Sequence, residues 1–466
     1  MSKGYELVVI GSGAAAFAAA LKASELGAKV ALVEHDVVGG TCVNRGCIPS
    51  KNLIQAARLL HYSRTPVFPG LKLSGEMDFT ALMAQKDELV GELRREKYVD
   101  IAQRDPNIEL IEGKARFIGP QGLLVGSQRV KAKSFVIATG ARPHVPPIPG
   151  LNEVPYLTSR TAFELRELPE RIVIVGGGYI ACELGQLFSR LGAQVAILEQ
   201  GPRLLADFEP VISRALVERF RAEGIRVELA AEVVEVRGGK REIRIFFRRE
   251  GKTVPVEGTH LLVSTGRVPN TEDLGLAEIG VKTDSQGFIR VDEGMRTPVP
   301  HVFAAGDVTG PPMATPVAAR EGAVAAENAL TDAGRRMDYR VIPRAVFTDP
   351  EIGVVGLTEG EAEAREIRCS CRVLDLAYVP RARAMRRVEG LVKMVAEAGG
   401  GRILGVHLFM PQAAEIIHEA ALAVRLGLTV ADLADAIHVY PTLSEVLRLV
   451  AQSFTRDVTR LSCCAE

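Results

Sequence analysis

The sequence predicts an α/β protein made of two Rossmann-like dinucleotide-binding domains followed by a C-terminal α+β domain suited to an interface. Three observations support this. A strand-glycine-helix-strand unit occurs twice, as "YELVVIGSGAAAFAAALKASELGAKVALVEHD" and "RIVIVGGGYIACELGQLFSRLGAQVAILEQG". Each unit is followed by an apolar strand ending in Thr-Gly, "FVIATGARP" and "LLVSTGRVPN". The last segment mixes strands ("VEGLVKMVAEAGGGRILGVHLF") with Ala/Leu helices ("AAEIIHEAALAVRLGL") and has no glycine fingerprint.

In the first unit Gly11, Gly13 and Ala16 form the G-x-G-x-x-A pattern, and Glu34 stands 23 positions after Gly11. In the second, Gly176, Gly178 and Ala181 repeat it, and Glu199 again stands 23 positions after Gly176. Glycines at these places let the backbone approach a pyrophosphate at a helix N-terminus, and the acid ending the second strand suits a ribose 2′-hydroxyl. One such pattern is weak evidence, since a glycine turn can serve packing alone; two at identical spacing are not. Thr139-Gly140 and Thr265-Gly266 extend the repeat, and "HVFAAGDVTG" then delivers Asp307 from the end of an apolar strand. Two dinucleotides side by side imply hydride or electron relay, because a binding module needs only one. Pro-rich stretches place boundaries at 1 to 150, 151 to 270, 271 to 337 and 338 to 466.

Lys plus Arg and Asp plus Glu both number 57, so no global field recruits nucleic acid or an anionic membrane. The opening "MSKGYELVVIGSG" lacks a signal-peptide pattern and no apolar run approaches the ~18 residues of a membrane span, so a cytoplasmic protein is expected. Seven cysteines in such a chain point to catalysis, metal binding or inert packing more than to a disulfide framework.

Cys42 and Cys47 lie in "GGTCVNRGCIPSKNLI", eight residues past Glu34. If Cys47 opens a helix, the positive end of that helix favours its thiolate. A zinc half-site or a passive disulfide ranks lower, because no second Cys/His pair at zinc-finger spacing follows. Cys463 and Cys464 stand side by side near the C-terminus; neighbouring α-carbons are about 3.8 Å apart, too close for a relaxed disulfide. Cys182, inside a fingerprint helix, reads as buried and inert, and Cys369 and Cys371, alternating onto one strand face, read as packing residues despite their ligand-like spacing.

"GGTCVNRGCIPSK" together with the double fingerprint resembles the pyridine nucleotide-disulfide oxidoreductases, the family of glutathione reductase and dihydrolipoamide dehydrogenase. The resemblance implies FAD on the first unit, NADPH or NADH on the second, and a C-terminal dimerisation domain. It implies FAD contacts from Gly11, Gly13, Ala16, Glu34, Gly40, Thr41, Lys51, Thr139, Gly140 and Asp307, and NAD(P) contacts from Gly176, Gly178, Ala181, Glu199 and Gly266. Cys47 would be the flavin-proximal thiol, Cys42 the interchange thiol, and Lys51 and Glu183 an ion pair near the reactive end of the flavin.

Departures narrow the choice. Disulfide-reducing members carry a histidine before a proline and a following glutamate; here "IHVYPTLSEV" keeps Glu445 but places Tyr440 at the histidine position. A phenol of pKa near 10 is a poor proton shuttle at neutral pH. His438, two positions earlier, reads as a packed or capping residue. Tyr440, Tyr98 in "RREKYVD" and the terminal "SCCA" are together similar to the mercuric reductases within that family. That resemblance implies a homodimer in which Cys463 and Cys464 receive Hg(II) from thiolate complexes and pass it to Cys42 and Cys47, with Tyr98 and Tyr440 assisting. Soft thiolates are the ligands such an ion prefers. The rival readings are a dihydrolipoamide dehydrogenase-like disulfide reductase, disfavoured by Tyr440, and a soft-metal thiol-binding protein, disfavoured by the nicotinamide site. Glu199 suits NADH, because a carboxylate repels a 2′-phosphate, with Arg203 placed to offset this in part.

Overall fold

The computed structural model describes residues 4–239 and 242–458. Its first sheet is built around strand β1 (Gly4–Ile10), which pairs in parallel with β2 (Val30–Glu34) on one side and with the strand Gln128–Ile137 on the other. A strand at the centre of a covered parallel sheet is apolar on both faces. Accordingly Leu7, Val8 and Val9 are all 0% exposed, each contributing roughly 1.5–3 kcal/mol relative to a solvated side chain.

Helix α1 (Ala14–Glu25) crosses between β1 and β2 and is rich in alanine. Small side chains let a second helix, Thr315–Leu330, lie close against it: a Cβ at Gly322 would meet the Ala15 carbonyl oxygen at 2.0 Å. The strand Val302–Ala304 pairs in parallel with Gln128–Ile137, so the chain returns to the first sheet after completing the second nucleotide unit. That return brings Asp307 and Thr315 to the first unit.

The second unit is a four-stranded parallel sheet in the order Arg226–Glu228, Gln194–Leu198, Arg171–Val175, His260–Val263, with a three-stranded antiparallel sheet beside it. A two-stranded ribbon, Ala141–Pro143 with Arg267–Pro269, ties the two units together immediately after their Thr-Gly turns. The C-terminal part is a five-stranded antiparallel sheet in the order Arg344–Val346, Glu351–Gly356, Ile403–Met410, Leu391–Glu397, Cys369–Asp375. The helices Ala413–Leu426 and Glu445–Gln452 pack on it. The mixed α/β class and the α+β last segment match the sequence expectation.

A buried ion cluster fastens this last segment to the second unit. Arg190 donates to Glu223 and to Asp349, each at 2.7 Å, with all three side chains 4–6% exposed. Ahead of the helix Glu445–Gln452, Ile437 is 97% and Val439 77% exposed, beside a half-exposed Tyr440. Contiguous exposed apolar groups of this kind mark interaction surfaces. No helix among the described residues is long and apolar enough to cross a membrane.

Candidate functional site

The two nucleotide turns are superposable in their physics. Gly11 has φ +112° and Gly176 φ +111°, in the left-handed region open to glycine. A Cβ at Gly11 would lie 2.3 Å from the Ala138 carbonyl oxygen, and one at Gly176 would lie 2.4 Å from that of Ser264. Each turn therefore presses on the strand that ends in its Thr-Gly element. Gly13 and Gly178 are the N-caps of the following helices, and neither helix start is capped by a side chain. Their first N–H groups are thus left without a side-chain cap, as a pyrophosphate site requires. Gly40 closes the first cradle, since a Cβ there would fall 2.5 Å from the Gly13 α-carbon. Ala16 and Ala181 are fully buried under these turns.

The acids at the strand ends are held in place. Glu34 accepts from the Ser12 hydroxyl at 2.6 Å and from the His35 and Asp36 amides at 2.7 and 2.8 Å. Glu199 accepts from the Gly201 amide at 2.5 Å, while the Arg203 guanidinium donates to the Ala206 carbonyl at 2.5 Å and so serves its own loop. Thr139 and Asn270 exchange hydrogen bonds at 2.7 and 2.8 Å, locking the first Thr-Gly turn to the end of the second unit; Gly140 and Gly266 both have positive φ. Asp307 follows Gly306 (φ +80°). Burial raises the Asp307 carboxyl above its usual value, and Arg267, with Nε 3.4 Å away, opposes that rise. The buried Ser264 hydroxyl, beside the second turn, has no hydrogen-bond partner among the described residues. The glycine cradle, the uncapped helix starts and this unpaired hydroxyl fit two bound dinucleotides.

Cys42 lies on helix α2 (Gly40–Arg45) and Cys47 is the first residue of helix α3 (Cys47–Arg64), as the helix-start reading expects. The turn between them is tight, because a Cβ at Gly46 would meet the Thr41 carbonyl oxygen at 2.9 Å and the Cys42 α-carbon at 3.3 Å. Thr41 itself is exposed. Both cysteines are free thiols in this structure. They are polarised against each other: the Cys42 thiol donates toward Cys47, and this contact, with help from Thr315 and the Lys51 charge, outweighs desolvation and brings Cys47 down to about 6. The same contact, and then burial, drive the Cys42 thiol well above its usual value. Cys47 is therefore the thiolate at neutral pH and Cys42 the proton holder.

Lys51, one turn along α3, donates to Glu183 at 2.7 Å and lies 4.5 Å over the Phe347 ring. Glu183, buried on the helix Tyr179–Leu191, also accepts from the Phe347 amide at 3.0 Å. One ion pair thus joins both nucleotide units to the C-terminal sheet. Tyr98 packs edge-on against Phe17, with ring centroids 4.9 Å apart. Burial raises its phenol, and negative charge on the Cys42/Cys47 pair adds to the rise, so the hydroxyl keeps its proton.

The remaining predicted residues stand in the C-terminal part. Tyr440 is joined to Pro441 through a cis peptide, and Glu445 opens the helix Glu445–Gln452 and accepts from the Thr442 amide at 3.0 Å. His438 pairs with Glu419 at 2.9 Å, consistent with a packed histidine. Cys463 and Cys464 lie outside the described residues. Cys182 is fully buried and pushed above the usual thiol range by burial, as an inert thiol should be.

Sequence reasoning missed Thr315, whose hydroxyl is 3.6 Å from the Cys47 sulfur, and Phe347. A readable signal existed for the first: "ATPVAA" is a helix start with Pro in its first turn. Nothing in the sequence around Phe347 distinguishes it from a core aromatic.

Residues 5–322 match the family described as Pyridine nucleotide-disulphide oxidoreductase, and residues 342–451 match its dimerisation domain. The chain belongs to this family. Among curated members of the pyridine nucleotide-disulphide oxidoreductases, it is 43% identical to the mercuric reductase of Staphylococcus aureus, covering 99% of this chain and 84% of that one. It is 44% identical to the Streptomyces lividans mercuric reductase, covering 99% and 98% respectively. Among solved members, the HOCl-induced flavoprotein disulfide reductase RclA from Escherichia coli superposes with a TM-score of 0.87 at 29% identity, over 96% of this chain and 99% of that one.

Proposed function

We infer that the protein reduces Hg(II) to Hg(0) at the expense of NAD(P)H, as an FAD-dependent homodimer. The observation that carries this is a polarised Cys42/Cys47 pair in a chain 40–44% identical to seven mercuric reductases along nearly its whole length. The overall reaction balances as Hg(SR)2 + NAD(P)H + H⁺ giving Hg(0) + NAD(P)⁺ + 2 RSH.

FAD, held by the Gly11–Gly13 turn, Glu34, Gly40 and Asp307, supplies a two-electron carrier between nicotinamide and thiols. NAD(P)H is held by the Gly176–Gly178 turn and Glu199. The chain's own groups handle the ion. The Cys42/Cys47 pair, which shares one proton, displaces the two thiolates of an incoming Hg(II) complex in turn, Cys42 as the interchange thiol, and the shared proton leaves with one of them as free thiol. Lys51, fixed by Glu183, keeps positive charge beside Cys47 throughout. Tyr98 offers a protonated hydroxyl to sulfur or metal as partners change. Cys463 and Cys464 are assigned delivery, one thiol exchange at a time, with Tyr440 presented by the apolar dimer surface.

Cys463→Ala with Cys464→Ala should leave flavin reduction by NAD(P)H intact while turnover of a Hg(II) dithiolate collapses; HgBr2, whose ligands leave easily, should still be reduced in a single turnover. Wild-type turnover of the dithiolate by this double variant would refute delivery by the tail. Faster reduction of lipoamide or glutathione disulfide than of Hg(II) by the unmodified protein would overturn the substrate assignment itself.

A further inference from the structure

Cys369 and Cys371 stand on the strand Cys369–Asp375, an edge of the C-terminal sheet that among the described residues pairs with Leu391–Glu397 alone. Alternation places both on one face: they pack with Leu357 and Ile367 around Ala362, Val395 and Leu404. The intervening Arg372 turns to the opposite face, where it donates to the Ser453 carbonyl at 3.1 Å and lies over the Phe454 ring. Both cysteines are half-buried and free. The two thiols are within hydrogen-bonding reach of each other, and Glu359, at the start of the helix Glu359–Ala364, reaches Cys371 while held by Lys393.

We propose that Cys369 and Cys371 form a second dithiol site that holds a soft, two-coordinate cation such as Hg(II), on elements separate from the redox pair. Residues i and i+2 of a strand are about 6.6 Å apart at their α-carbons, near the upper limit for a relaxed disulfide. A collinear sulfur–metal–sulfur bridge needs more room: two bonds of about 2.3 Å, the length of a zinc–thiolate bond, separate the sulfurs by about 4.6 Å. The spacing therefore favours a metal bridge over a disulfide. Among the described residues no group of three or more His, Cys, Asp or Glu is arranged for a metal, so the pair offers two sulfur ligands, a number that a soft d10 ion accepts.

In the resting state both cysteines are reduced, half-buried thiols. Loading is exchange without redox: two S–H bonds are replaced by two S–Hg bonds, and the two protons leave on the displaced thiolates as free thiols. The choice of Hg(II) rests on the function proposed above, but the readout is retained metal, which is independent of turnover.

The test uses full-length, FAD-loaded protein carrying Cys42→Ala, Cys47→Ala, Cys463→Ala and Cys464→Ala, treated with HgCl2 in excess glutathione, desalted and analysed for mercury. About one ion per chain should be retained, falling to background when Cys369→Ser or Cys371→Ser is added. No retention, or retention indifferent to these two substitutions, overturns the proposal. In the otherwise unmodified protein, Hg(II) should protect Cys369 and Cys371 together from iodoacetamide, read by peptide mass spectrometry; independent or absent protection also overturns it. Cys369→Ser with Cys371→Ser should leave mercury turnover unchanged, so a chain that retains the ion but never reduces it would count against the function and not against this site.

Discussion

Replacing Thr315 with Val removes a hydroxyl 3.6 Å from the Cys47 sulfur while preserving side-chain volume. The Cys47 thiol titrates at about 6, held there first by the Cys42 thiol, with Thr315 and Lys51 adding to it. A hydrogen bond to a charged acceptor contributes about 1.5–3 kcal/mol, and a long contact to an exposed sulfur belongs at or below the lower end of that range. About 1.4 kcal/mol corresponds to one pKa unit. The lost donor favoured the thiolate, so its removal raises the pKa, from about 6 to about 7. At pH 7 the thiolate share then falls from about nine-tenths to about half. The assay is the pH dependence of iodoacetamide alkylation at Cys47 in the reduced protein, resolved by peptide mass spectrometry. Thr315→Ser, which keeps the hydroxyl, should titrate like the unmodified protein. An inflection in Thr315→Val within about 0.3 unit of wild type, or an equal shift in Thr315→Ser, refutes the reasoning.

Two further outcomes are expected. The unmodified protein should use NADH appreciably, because Glu199 is anchored at the strand end and Arg203 is committed to Ala206; Glu199→Ala should raise the NADPH-to-NADH ratio of kcat/KM by about tenfold, equivalent to ~1.4 kcal/mol, and strict NADPH dependence of the wild type would contradict this. Arg190→Met removes the partner that Glu223 and Asp349 share, leaving them to Arg219 and Arg387, and should cost ~1–3 kcal/mol, read as a lower urea midpoint. Burial alone would raise the Glu223 carboxyl, but Arg190 and Arg219 outweigh it and hold it below the usual value. A carboxyl depressed on folding gives stability that is present above its unfolded pKa, about 4.3, and lost as pH falls through the folded value. Arg190→Met should lose part of that acid-dependent stability, the rest staying with Arg219; an unchanged slope would show that Arg190 does not couple to stability through Glu223.

The sequence by itself determined the elements whose signals are local. The 23-residue spacing from Gly11 to Glu34, repeated from Gly176 to Glu199, required two turns of one geometry, and their φ values of +112° and +111° agree with it. Cys47 at a helix start was legible because "RGCIPSK" places glycine before and proline just inside the helix. Which groups converge on that cysteine was not legible, because convergence depends on pairings far apart in the chain. Lys51 meets Glu183 across 132 positions, and Thr315 reaches Cys47 across 268, carried there when the strand Val302–Ala304 returns to the first sheet. The same holds for Cys369 and Cys371: alternation put them on one face, but only the packing of the edge strand against Glu359 and Leu357 made them a half-buried pair. Local spacing decides backbone geometry, since glycine conformations and helix starts cost energy residue by residue. The order of charges and sulfurs in the site is decided by the tertiary structure, because it depends on which distant surfaces are desolvated together.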